Sequence, residues 1–289
     1  MLAQLLVSGV AQGALYALVA LAMTVIYRAT TVINFGHGDL VMAGAFVVYL
    51  LVVIGGAPFL VSALLAVVLL FAFGVAVYKG LIRPIMAGPH LALAMMAVAV
   101  GYALRGLARV VWGREVLPFP KVLPQGTFVV GPVILAPSDL IVTGSVIVTV
   151  AVLAIVFYAT SLGKTAQAVF QSERGAALVG INVSAFQSTM WGIGAAMAAL
   201  GGILIAPVTL LYPDLAAATL IRAFAAMTLG GFGSFLGAAV GGLLLGLSEL
   251  LVGAYISSKL IDITAYLIII GVLLIRPSGL FGRQTIVRV

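Results

Sequence analysis

The chain has 289 residues, 64% of them hydrophobic and 7% charged, with 34 glycines, no cysteine and a formal net charge of +7. Soluble domains carry about 25% charged residues, so this composition excludes a fold whose main solvent is water and points to lipid. Without cysteine there is no disulfide framework, thiolate metal site or cysteine nucleophile. The basic residues are scattered between apolar runs, which reads as topology signals and headgroup contacts and excludes a nucleic-acid patch.

The predicted elements are helices. A span needs about 20 mostly apolar residues, and no run alternates with the period of two that a β-barrel requires. Apolar segments fall at 4–27, 39–54, 59–79, 91–111, 139–160, 187–211, 219–231, 236–252 and 260–275. The first 27 residues hold no Lys or Arg, so the first segment reads as a retained span and not as a cleavable leader. Segments 39–54 and 219–231 are short and adjoin the glycine-rich stretches INFGHGD and LGGFGS. The expectation is an all-α, polytopic transmembrane helical bundle, a single domain over 1–289, with about eight spans and one short segment re-entrant.

INFGHGD packs Asn34, Gly36, His37, Gly38 and Asp39 between two apolar runs. One reading is an interfacial turn that caps helix 39–54. The other is a backbone break, permitted by the glycines, that borders a translocation path, where unpaired helix ends are tolerated; Asn34, His37 and Asp39 would satisfy those ends, and Asp39 would cap the segment that follows. Gly230, Gly231, Gly233 and Ser234 would form the matching break in the second half.

Charges inside spans are costly and presumed functional until explained. Arg105 and Arg109 lie toward one end of 91–111, and Arg105 is expected to snorkel to the interface. Glu249 is read as near a segment end, and Asp139, Asp214 and Asp262 as at borders. No span is therefore expected to carry a buried acid or histidine at its middle, and no proton relay is evident. Lys79, Arg83, Lys164, Arg174, Arg276, Arg283 and Arg288 are assigned to the cytoplasm. Arg109, Arg114 and Lys121 fall in the loop assigned outside, with Pro118, Pro120, Pro124, Pro132 and Pro137, so the positive-inside rule is only partly obeyed.

Residues 164–182, KTAQAVFQSERGAALVGIN, are too polar to span. They read as one short surface helix, with Ala166, Val169, Phe170, Ala177 and Ile181 sharing a face and Gly180 as its stop. An amphipathic connector and a docking surface for a cytoplasmic partner both fit. Two small-residue stripes, Gly194–Ala198–Gly202 and Gly233–Gly237–Gly241, predict close helix packing.

Enzyme motifs fail. The two histidines, His37 and His90, form no H-E-x-x-H pair. No paired carboxylates or G-x-S-x-G elbow appear. SLGKT ends like a phosphate loop, but Tyr158 stands where its first glycine belongs. No cofactor, metal or catalytic residue is expected.

VINFGHGDLVMAGAF, the Gly163–Asn182 stretch followed by GIGAAMAALGGIL, and IRAFAAMTLGGFGSFLGAAVGGLLLGLSE with a closing RPSGLFGR occur in this order along the chain. On these motifs the chain resembles the LivH-type permeases of branched-chain amino acid ABC importers. The resemblance implies a subunit in the bacterial inner membrane; the basic groups assign the carboxyl terminus to the cytoplasm. The subunit's implied partners are a second related permease, two cytoplasmic ATPase subunits and a periplasmic binding protein. Leucine, isoleucine and valine are the implied solutes; related permeases serve urea and short amides. It also implies that connection 160–186 carries a coupling helix, with Lys164, Gln167, Val169, Phe170, Glu173, Arg174 and Gly180. QSER departs from the more acidic run of many relatives, which bears on the ATPase contacts. A stand-alone secondary transporter or channel is the runner-up; it would need buried coupling-ion ligands or a charged filter, and the spans are expected to offer neither.

Overall fold

The computed structural model describes residues 2–119, 126–130 and 133–282. Pro120, Lys121, Pro124, Pro132, Arg283 and Arg288 lie outside the described residues. The helices are α1 (Leu2–Thr30), α2 (His37–Tyr49), α3 (Phe59–Val77), α4 (His90–Trp112), α5 (Pro137–Ala159), α6 (Ser161–Gln171), α7 (Glu173–Leu178), α8 (Val183–Thr209), α9 (Leu215–Gly230), α10 (Phe235–Tyr255) and α11 (Ile261–Ile275). A small antiparallel hairpin, β1 (Phe128–Val130) and β2 (Val133–Leu135), precedes α5, with Val129 opposite Ile134.

Among the described residues, eight helices are long and apolar enough to cross a membrane, and α9 is shorter. The chain is thus a multi-pass membrane protein. Segment 39–54 is not short after all. Wider π-type turns over Leu50–Ile54 extend α2 into a span of 18 residues, about 27 Å at 1.5 Å per residue.

The surface connection differs from the single helix expected. Ser172 adopts an extended conformation (φ −160°, ψ 113°) that ends α6. Its hydroxyl then accepts from Gly175 N at 3.0 Å, capping α7. The break shifts the helical phase, so Ala176 is buried and Ala177 is exposed. Gly180, at φ +85°, ends α7 as its position suggests. Asn182 caps α8 by accepting from Ala185 N at 2.9 Å, which starts that helix four residues before the apolar run.

The described residues fall into two compact units. The first gathers the chain through Thr24, the stretch ending at Val146 and the residues from Thr219 on. There α1 and α10 run antiparallel: Gly13 meets Gly242 and Leu243, while Gly9 meets Leu247. A Cβ on Gly241 would fall on the Ala226 carbonyl, so the glycine stripe brings α10 against α9.

The second unit begins at Val25, runs through the loop after α4 and resumes over Ile147–Ala218. Here α8 lies against α2 and α3. A Cβ on Gly202 would strike the Val41 carbonyl oxygen, and one on Gly74 would press on Trp191. Met42, Phe46, Ile203 and Leu211 form one buried cluster, and Ile26, Tyr78, Ile82 and Trp191 another. Lipid tails are as apolar as these side chains, so close van der Waals fit, not water exclusion, holds such contacts together.

Candidate functional site

In the second unit, the turn before α2 is tied by Asn34. Its side-chain oxygen accepts from Gly36 N at 3.0 Å and its carbonyl accepts from His37 N at 3.1 Å. Gly36 is the helix cap, with φ −84° and no side-chain cap bond. Asp39 therefore does not cap the helix; it lies inside the first turn. Nor is Gly36 needed for a rare backbone conformation. Its missing Cβ lets α4 approach, because one would fall on the Ala97 carbonyl oxygen. Gly38 also lies within α2, in its first turn.

Asp39 faces α4. Arg105 Nε donates to Oδ1 at 2.9 Å and Nη2 donates to Oδ2 at 3.3 Å. The pair is largely buried, at 15% and 5% side-chain exposure. Arg105 thus turns inward instead of snorkelling. Gly101, one turn earlier on α4, leaves room for the carboxylate. Arg109 pairs with Asp214 in a more exposed position.

His37 is fully buried, and among the described residues neither ring nitrogen has a hydrogen-bond partner. Beside this turn is a cavity of about 10 Å³, lined by Asn34, Gly36, Leu40, Val77, Val100 and Trp191. That is about the room one water needs.

The surface connection has two faces. Gly163, Ala166 and Val169 are buried against the chain's own helices. Phe170 meets Phe186 edge-on, with the Arg28 guanidinium 4.6 Å from its ring centre. Lys164, Gln167, Glu173 and Arg174 are exposed. Val169 and Phe170 accordingly anchor the connection rather than face outward. The anchor continues through Gln187, a buried residue that the sequence did not single out. Its amide nitrogen donates to Glu173 Oε1 and to the Ala29 carbonyl, both at 3.1 Å, and its oxygen accepts from Tyr78 at 2.6 Å. Four helices meet at this one amide: α1, α7, α8 and, through Tyr78 in the π-type turns that continue it, α3.

In the first unit, Gly231 (φ +103°) and Gly233 (φ +77°) do need glycine's freedom. Ser234 caps α10 by accepting from Gly237 N at 3.0 Å. A Cβ on Gly230 would strike the Gly237 carbonyl. The closing RPSGLFG stretch straps this break: Leu280 N donates to the Leu229 carbonyl and Phe281 N to that of Gly230, each at 2.9 Å. The free carbonyls at the end of α9 are satisfied from about fifty residues away.

Glu249 corrects another expectation. It is fully buried inside α10, where it binds Arg222. The signal in the sequence was Arg222 itself, a cation inside the apolar segment 219–231.

Residues 5–276 match the family described as "Branched-chain amino acid transport system / permease component". The chain belongs to this family. It is 30% identical over 300 aligned residues to the "High-affinity branched-chain amino acid transport system permease protein LivH" of Escherichia coli K12, covering 99% of this chain and 97% of that one. The protein BraD of Pseudomonas aeruginosa, with the same description, is 29% identical with the same coverage. A probable LivH of Methanocaldococcus jannaschii is 27% identical over 93% of the chain and 89% of its own length. Among solved structures, "PsaBC from Streptococcus pneumoniae in complex with Fab" aligns with a TM-score of 0.50 and 16% identity, over 94% of this chain and 91% of that one. That likeness concerns the fold. Membership makes the chain a transport permease component.

Proposed function

We propose that the chain is the membrane-spanning permease of a bacterial inner-membrane ABC importer for leucine, isoleucine and valine, driven by ATP hydrolysis on separate subunits. Relatives that align over almost their whole length carry branched-chain amino acid names, which favours that solute class over urea or short amides. A second related permease, two cytoplasmic ATPases and a periplasmic binding protein complete the assembly. The carboxyl terminus and connection 160–186 face the cytoplasm.

The observation that carries the coupling role is the Gln187 junction. An ATPase docked on the exposed face of α6 and α7, through Lys164, Gln167, Glu173 and Arg174, can displace α7. Glu173 then pulls on Gln187, and with it on α8, α1 and α3. Val169 and Phe170 keep the connection attached while it moves. In the same unit, the turn Asn34–Asp39 lies where α2, α4 and α8 meet, and it borders the translocation path. Gly230 to Ser234 form the corresponding elbow of the other unit.

The test uses the assembled transporter with Gln187→Leu. Uptake per ATP hydrolysed falls while the ATPase subunits still co-purify. A normal ratio in that variant would count against this route of coupling. Lys164→Glu with Gln167→Glu loses the ATPase subunits from the purified complex; full retention contradicts docking on this face.

A further inference from the structure

Arg222 lies half-way along α9, where a guanidinium persists only if its charge is paired. Its Nε donates to Glu249 Oε1 at 3.0 Å and its Nη2 donates to Asp262 Oδ1 at 2.7 Å. The two carboxylates are unlike. Glu249 is fully buried, and its other oxygen accepts from the Tyr16 hydroxyl at 2.7 Å and from the Gln12 amide at 3.2 Å. It is held from three sides. Asp262, in the first turn of α11, is 87% exposed. An ion pair with one member so exposed contributes little net stability, because water and salt compete for it. The Tyr16 ring stands 5.8 Å from the guanidinium carbon and adds a face for the cation.

One side of the guanidinium is therefore fixed by a buried acid, and the other is covered by a carboxylate that is mostly exposed to solvent. Arg presents paired donors that match carboxylate geometry. We propose that Arg222 is a carboxylate-binding site for the transported solute, occupied at rest by the Asp262 side chain and opened when the solute's carboxylate replaces it. Glu249, Tyr16 and Gln12 are positioning residues that keep the guanidinium aimed. The solute class rests on the transport reading above; the exchangeable site rests on the unequal burial of the two acids.

The test uses the full chain purified into phosphatidylcholine nanodiscs, with L-leucine as probe and leucinamide as the carboxylate-free control, read by calorimetric titration. Asp262→Asn removes the internal competitor, so leucine binds about tenfold tighter than to wild type, the gain expected if Asp262 fills the site about nine-tenths of the time. Leucinamide binds neither protein. Arg222→Lys, which keeps a cation beside Glu249, binds leucine more weakly than wild type. Equal leucine affinity in wild type and Asp262→Asn, no binding by either, or binding of leucinamide as tight as leucine overturns the proposal. Loss of leucine binding when phosphatidylglycerol replaces part of the lipid assigns the guanidinium to anionic headgroups and also overturns it. Uptake by the assembled wild-type transporter separates the two levels. If leucine is imported yet Asp262→Asn binds it no better, only the site is wrong; if no branched-chain amino acid is imported, the transport reading is wrong.

Discussion

Arg105 on α4 holds Asp39 on α2 through two hydrogen bonds, at 2.9 and 3.3 Å. The geometry depends on two glycines. Gly36 and Gly101 bring the helix backbones together, and Gly101 leaves space for the carboxylate. Removing one partner of a buried pair strands the other charge, which typically costs about 3–5 kcal/mol. Asp39→Asn is expected to lose about that much in equilibrium unfolding in mixed micelles. The double variant Asp39→Asn/Arg105→Gln is expected to lose less than the two single losses added together, because neither charge is left alone. Additive losses would mean that the two side chains do not act as a pair.

Glycines in close contact should differ from glycines in open space. Gly237→Leu drives a branched side chain into the Gly230 backbone, an overpacking that costs about 1–3 kcal/mol or more. At Gly106 and Gly144 an added methyl group would meet nothing within 4 Å. Alanine at either is expected to be neutral or to stabilise by up to about 1 kcal/mol through helix propensity. Thermal unfolding in detergent checks both; an unchanged midpoint for Gly237→Leu would refute the packing stripe.

The break between α6 and α7 hangs on Ser172. Ser172→Ala removes the bond from Gly175 N, and loss of such a cap costs about 1 kcal/mol. Faster hydrogen exchange over Glu173–Leu178, with α6 unchanged, is the expected readout. The effect is local, so overall stability changes little.

The closing strap makes a separate prediction. Gly279 has φ +73°, and a Cβ there would fall on Gly231. Gly279→Ala is strained on both counts and should lift Leu280 and Phe281 from the end of α9. Hydrogen exchange at Leu280 and Phe281, whose amides bind the Leu229 and Gly230 carbonyls, should rise. Unchanged protection there would show that the strap is held by other contacts.

Helix positions were legible because lipid demands long uninterrupted apolar runs, and Gly180 was legible because its place after a helical face fits a helix stop. The charge pairs were harder. Arg105 looked able to reach the interface, and nothing local ties it to Asp39, which is 66 residues away in sequence. Glu249 looked terminal because the apolar run fades at 252, whereas α10 continues to Tyr255 and sets it a turn deeper. The glycines of INFGHGD left two readings open, a capped interfacial turn and a backbone break. What they supply at Gly36 is room for a neighbouring backbone, which depends on a helix far along the chain. At Gly231 and Gly233 the positive φ does call for glycine. The Gln187 junction joins four helices, and no single stretch of sequence reveals it.

The most direct measurement is accumulation of labelled L-leucine in sealed vesicles containing this chain and its second permease, with solute-binding protein supplied on the entry side. With the two ATPase subunits and ATP present on the opposite side, leucine rises above its outside concentration, and it does not when ATP is replaced by a non-hydrolysable analogue. Accumulation against the gradient by this chain without any ATPase would contradict the proposal.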